Sequence, residues 1–262
     1  MEKYMELQLW QFACVYLLLL LVLAIMKKCD IHQSKQLIVA SVKMTVQLTL
    51  AGIILTLIFE NPHPAFTAAY VCVMIAFTCH RVISLNKELN RNFKIIIIAS
   101  TAIGGVSVMS FFIVVVVGQS LTDPQIVIPI SGMLMGNMMT GLTLAVKTFK
   151  ESLYGQSVKI NALQCAGARP QKILHPFVTN ALETAMLPTI NSMVGLGIVS
   201  LPGMMTGQIL AGSMPTTAIM YQIAIMVAIC AVVSITCFMT LWMGQKTLYE
   251  KNSQIILIPK HL

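Results

Sequence analysis

Charge is what this chain has least of. Of its 262 residues, 10 % are Asp, Glu, Lys or Arg, and only nine are acidic. An ordinary soluble domain carries about 25 % charged residues, so a soluble globular fold is excluded at the level of composition. The apolar stretches run on without alternation, which excludes an outer-membrane-type barrel. None of the seven cysteines forms a CxxC pair, and no disulfide framework is indicated. Catalytic signatures are missing too. There is no GxxxxGK[ST], and the nearest glycine pair, Gly203 and Gly207 before Gln208, lacks both the spacing and the lysine. No HExxH or GxSxG occurs, and the five histidines fall in loops or at helix ends. The two aspartates, Asp30 and Asp123, sit on opposite sides of the expected bilayer, so they cannot form an intramembrane pair. The chain therefore reads as a non-enzyme, with no cofactor and no metal site of its own.

What is abundant is hydrocarbon. Residues of the apolar class make up 57 % of the chain, in blocks long enough to cross a bilayer. The expectation is an all-α, polytopic transmembrane bundle of about seven spanning helices in a single domain, 1–262. The spans are placed at about 7–26, 37–59, 65–79 (extending at most through His80), 93–117, 126–146, 177–199 and 217–243. The sixth is expected to break near Pro188 and Gly195. The first apolar run has no basic flank before it and no A-x-A-like site, so it reads as a retained helix rather than a cleaved signal.

The basic residues orient this arrangement. All but Lys3 of the 17 Lys and Arg fall on one side: around Lys27 and Lys43, between Arg81 and Lys94, between Lys147 and Lys172, and in the tail from Lys246. Glu2, Glu6, Glu60 and Asp123 fall on the other. An odd number of spans then puts the N-terminus outside and the C-terminus in the cytoplasm. The net charge of +8 follows from this bias and needs no nucleic-acid partner.

Two segments stand out. Residues 147–176 form the longest cytoplasmic stretch. A helix fits 148–166, with Gly167 as its left-handed cap and Pro170 unable to continue it, and a second turn then leads into the sixth span. Asn161, Ala162, Gly167 and Arg169 are the candidates for docking a partner, and an ordinary amphipathic connector is the alternative. Residues 188–212 are uncharged and rich in Gly, Pro and Met. Broken backbone at membrane depth survives only where protein or a watery cavity satisfies it, so this stretch is expected to face inward. Asn137, Asn191, Met193, Pro202, Gly203, Met204, Met205, Thr206, Gly207 and Gln208 are the candidates for a substrate path or gate. Glu183 either serves function inside the membrane or pairs with a basic neighbour such as Lys172. Gln47 and Asn137 either line a path or bond a neighbouring helix. The 19 methionines suit soft metals, but read more simply as adaptable packing. Gly132 and Gly136 form a GxxxG for close helix contact.

The stretches Ile130 to Asn137, Leu187 to Met193, Leu201-Pro-Gly-Met-Met-Thr-Gly-Gln-Ile-Leu-Ala-Gly212 and Tyr221-Gln222 resemble the FetB-type ABC transporter permeases. The likeness is closest over about 125–245. That family includes a bacterial permease linked to iron export and plant aluminium-tolerance membrane proteins, with nucleotide-sugar transport among the plant activities. The resemblance implies a permease subunit in the plasma membrane, an exporter serving metal homeostasis, present in two copies. It would be driven by a separate ATP-binding cassette subunit that holds ATP and Mg. It places the path at 191–208 and the coupling segment at 160–169. A self-sufficient secondary transporter or channel, and a non-transporting membrane scaffold, are the alternatives.

Overall fold

The computed structural model describes residues 9–31 and 33–249. The chain divides into two compact units, Met1–Asn61 and Pro62–Leu262. The first holds α1 (Leu9–Lys28) and α2 (Ser34–Glu60). Both expose apolar side chains along most of their length, the pattern of helices surrounded by hydrocarbon. They meet through a 2.6 Å hydrogen bond between the hydroxyls of Tyr16 and Thr45. A shallow apolar groove runs along them, lined by Val15, Leu19, Met44 and Leu48.

The second unit is the bundle proper: α3 (Pro64–Leu85), α4 (Arg91–Phe111), α5 (Pro124–Gly155), α6 (Ser157–Cys165), α7 (Pro170–Gly195), α8 (Gly203–Leu210) and α9 (Pro215–Gly244). The sequence sets most starts plainly. Proline occupies the first turn of α3, α5, α7 and α9, where its missing N–H costs nothing. Asn90 and Asp123 accept hydrogen bonds from Phe93 N and Gln125 N, each at 2.9 Å, and so cap α4 and α5. A π-helical turn, Phe112–Val117, finishes α4. The third span reaches Leu85, well past the expected Cys79. The unbroken apolar run stops at His80 and Arg81, but Val82 is fully buried against the core and carries the helix on.

The core lies among α3, α4, α5, α7 and α9. It is built from stripes such as Ile225, Val232, Val233, Cys237 and Leu241 on α9, and Leu134, Met138, Leu142 and Ala145 on α5. The opposite face of α9 exposes Ile223, Val227, Ile235 and Phe238. A helix apolar toward both the core and the outside belongs in lipid. Between helices the glue is small residues and hydroxyls. Gly104 lies against Thr236, Gly105 against Met135 and Gly141 against Val233. Ser100 bonds Thr240. Hydroxyls of Ser131, Ser234 and Thr236 donate to the sulfurs of Met74, Met186 and Met138. The methionines are thus woven into packing contacts.

Five helical segments among the described residues are long and apolar enough to cross a membrane: Ser34–Glu60, Pro64–Leu85, Arg91–Val117, Pro124–Gly155 and Pro215–Leu248. At 1.5 Å per residue α5 is about 48 Å long, against a hydrocarbon core of about 30 Å. Its last turns therefore project beyond the bilayer.

Candidate substrate path and coupling segment

One end of the bundle gathers the basic residues. Glu88, in the α3–α4 loop, pairs with Lys150 of α5 at 3.1 Å. Asn90 Nδ2 donates to Thr247 O beyond α9, at 2.9 Å. Phe93 of α4 stacks on Phe149 of α5, centroids 6.4 Å apart. Gln171 at the start of α7 donates to the Tyr249 hydroxyl. These contacts tie the end of α3, the start of α4, the end of α5, the start of α7 and the end of α9 into one surface. The positive side read from the sequence is therefore a single physical end of this unit.

At that end the connector between α5 and α7 is not one helix over 148–166. α5 runs to Gly155, turns at Gln156, and α6 is a separate helix of nine residues. Ile160 is fully buried and anchors α6, while Val158, Asn161, Ala162 and Leu163 are exposed. Gly167 has φ +77°. Ala168 N bonds Leu163 O, and Gly167 N bonds Gln164 O. These two bonds define a Schellman cap with Gly167 at its left-handed position, where a Cβ is strained. Arg169 is extended and exposed, and Pro170 opens α7. Asn161, Ala162, Gly167 and Arg169 thus share one solvent-facing corner. A cavity of about 360 Å3 lies behind it, between the end of α5, α6 and the start of α7, lined by Ser152, Lys159, Lys172 and Asn180 among others.

α7 itself does not break at Pro188. It runs unbroken from Pro170 to Gly195, through Pro176 and Pro188. Neighbouring helices and hydroxyls re-satisfy the backbone around a proline inside a membrane bundle. Here α7 packs on α5 and α9, with Ala185 and Thr189 on either side of Pro188 buried. The break falls after Gly195 instead. Val199 N returns to Gly195 O and Gly197 N to Ser200 O, which closes a tight loop carrying the exposed Ile198 and Val199. α8 follows and packs on α9. It ends in a second Schellman cap: Ser213 N bonds Gln208 O, Gly212 N bonds Ile209 O, and Gly212 has φ +92°.

The candidate path residues divide between two places. On the α5–α7 pair, Asn180 Nδ2 reaches Ser152 Oγ at 3.3 Å, and Gly141 faces the Ala185 carbonyl. One turn beyond the Gly141 contact stands Asn137, exposed, its amide folded onto Met133 O at 2.8 Å. Asn191 and Met193 are exposed on the matching stretch of α7. Thr140 and Glu183 extend this polar outer face, and Glu183 makes no ion pair among the described residues. The expected pairing with Lys172 does not form. On α8, Met205 packs inward while Gly203 and Gly207 face open space. Pro202, Met204, Thr206 and Gln208 are half-buried.

The side-chain oxygen of Gln208 is buried and has no hydrogen-bond partner among the described residues, and the same holds for Gln222 on α9. Gln222 was not among the candidates from the sequence. An amide in the middle of an apolar helix was the available signal. Among the described residues no three of His, Cys, Asp and Glu come together to hold a metal ion. The groups offered on these faces are amides, hydroxyls, thioethers and one carboxylate.

An all-α bundle with apolar outer faces and several bilayer-length helices is an integral, multi-pass membrane protein. The chain belongs to the uncharacterised protein family UPF0014, whose sequence profile matches residues 9–249. It is 30 % identical over 236 residues to the UPF0014 membrane protein YjkA of Bacillus subtilis, covering 90 % of this chain and 93 % of that protein. It is 25 % identical over 248 residues to the probable iron export permease protein FetB of Escherichia coli, covering 94 % and 93 %. It is 28 % identical over 184 residues to the protein ALUMINUM SENSITIVE 3 of Arabidopsis thaliana, covering 69 % and 65 %. The likeness read from residues 201–212 thus extends over nearly the whole chain. No solved structure matches it.

Proposed function

We propose that the chain, 1–262, is the membrane-spanning permease subunit of an ABC transporter, an exporter serving iron or other metal homeostasis at the plasma membrane. A separate ATP-binding subunit supplies ATP, Mg and hydrolysis, and two copies of the permease assemble with it. α1 and α7 complete a set of seven spans, with the N-terminus outside and the basic end in the cytoplasm. α7 is less apolar than the other spans, but its 26 residues reach about 39 Å, enough to cross.

The observation that carries this reading is α6. It is a short helix held out at the basic end, anchored by buried Ile160 and bent into α7 by Gly167, with Val158 82 % exposed on its outer side. An apolar side chain left on a short helix beside Asn161 and Arg169 suits a partner that presses on that corner. Movement there passes directly into α5 and α7, which carry the exposed polar face of Asn137, Thr140, Glu183 and Asn191. Such a face is costly against lipid and suits a watery path at the seam with a second copy. The iron-export name of one relative supports the direction and the cargo.

Co-purification from native membranes tests the reading. A stoichiometric ATP-binding protein should remain bound, and should be lost when Gly167 and Arg169 are replaced. A chain that runs alone in several gentle detergents and transports in liposomes without ATP overturns it in favour of a secondary transporter or channel. Transport that survives bulky residues at both Gly203 and Gly207 removes α8 from the path. Transport by neither route leaves the scaffold.

A further inference from the structure

A cavity of about 540 Å3 opens at the basic end between the start of α7 and the end of α9. Gln171, Lys172, His175, Trp242, Gln245 and Lys246 line it, and among the described residues no acidic side chain does. From this site we propose that the protein binds an anionic phospholipid of the phosphatidylglycerol type, with the phosphate between Lys172 and Lys246. Four independent features converge there. Two ammonium groups come from different helices, one at the first turn of α7, where the helix dipole also favours an anion. Gln245 is only 4 % exposed, and its side-chain oxygen has no hydrogen-bond partner among the described residues. A buried amide oxygen left open is costly, and a glycerol hydroxyl would satisfy it. Lys246 Nζ stands 6.0 Å from the centroid of the Trp242 ring, which orients that cation at the cavity mouth.

The fourth feature separates a lipid from a soluble phosphate. Trp242 stacks on Phe238, centroids 5.6 Å apart, and both are exposed, as is Ile235 on the same face of α9. This apolar strip runs from the cavity along α9 toward the hydrocarbon. It offers acyl chains a surface that inorganic phosphate could not use. A tryptophan at this level is also what a bilayer interface selects. Basic pockets between spanning helices bind anionic headgroups for the same electrostatic reasons. The site lies at the basic end whichever compartment that end faces, so it stands apart from the transport reading.

Native mass spectrometry of the purified full-length protein tests the proposal. It would be offered phosphatidylglycerol or phosphatidylcholine of identical chains. Phosphatidylglycerol should be retained several-fold better. The double variant K172Q/K246Q should weaken it roughly tenfold or more, while K172R/K246R keeps it. Glycerol phosphate at millimolar concentration should not displace it. Equal retention of the two lipids, or wild-type retention by K172Q/K246Q, overturns the site. Displacement by glycerol phosphate assigns it to a soluble phosphate and overturns the lipid. The lipid preference of the unmodified protein answers the question even if the double variant folds poorly.

Discussion

Glu88 and Lys150, 62 positions apart, form an ion pair of 3.1 Å at the basic end of the bundle, with side chains 29 % and 17 % exposed. The pair fixes the α3–α4 loop against the end of α5, one turn before the chain bends into α6. Half-buried and hydrogen-bonded, it is worth more than a surface pair. Lys150→Ala should destabilise the protein by about 1–2 kcal/mol, read as a lowered Tm in detergent. The swap E88K/K150E should recover most of it. If the single variant melts like the parent, the loop is held by its other contacts alone.

Gly244 ends α9 where a Cβ would stand 2.5 Å from the Phe93 ring, which is fully buried. The ring also stacks on Phe149 and has little room to retreat. Gly244→Ala should cost about 1–3 kcal/mol by overpacking. Combining it with Phe93→Leu should couple favourably in a double-mutant cycle. Strict additivity would mean the two residues do not meet.

Gln222 leaves a buried oxygen unpaired among the described residues, in a helix whose other buried polar side chains are hydroxyls. A residue kept only for stability would not be an amide here. Gln222→Leu should leave thermal stability equal or raise it by up to about 1–3 kcal/mol, while transport in liposomes with the partner falls. Loss of stability together with unchanged transport would remove Gln222 from the path.

Cys165 is exposed at the end of α6, and Cys29 is exposed at the start of the turn between α1 and α2. The proposed orientation puts both in the cytoplasm. A variant retaining only Cys165 should resist a membrane-impermeant maleimide in intact cells and react once they are permeabilised. Labelling in intact cells would invert the topology.

Several of these features are legible in the chain itself. The scarcity of charge and the length of the apolar runs fix an all-helical membrane class, because hydrocarbon leaves no other way to satisfy a spanning backbone. Gly167 before Pro170 fixes a left-handed cap, since only glycine adopts that conformation without strain. Clustering of lysine and arginine between alternate spans marks one end. Pro188, by contrast, misleads: its local tendency to end a helix is overridden by packing that only the assembled bundle supplies. The same holds for the third span, which outlasts its apolar stretch.

What the sequence by itself determined is the solvent this protein needs and the sign of its two ends, because both depend on composition summed along short segments. Only the tertiary structure decided which polar groups are left facing outward on α5 and α7, which glutamine oxygens are buried unpaired, and that Lys172, Trp242 and Lys246 share a cavity. Those facts depend on contacts between different helices, and pattern along one helix carries no information about the helix packed against it.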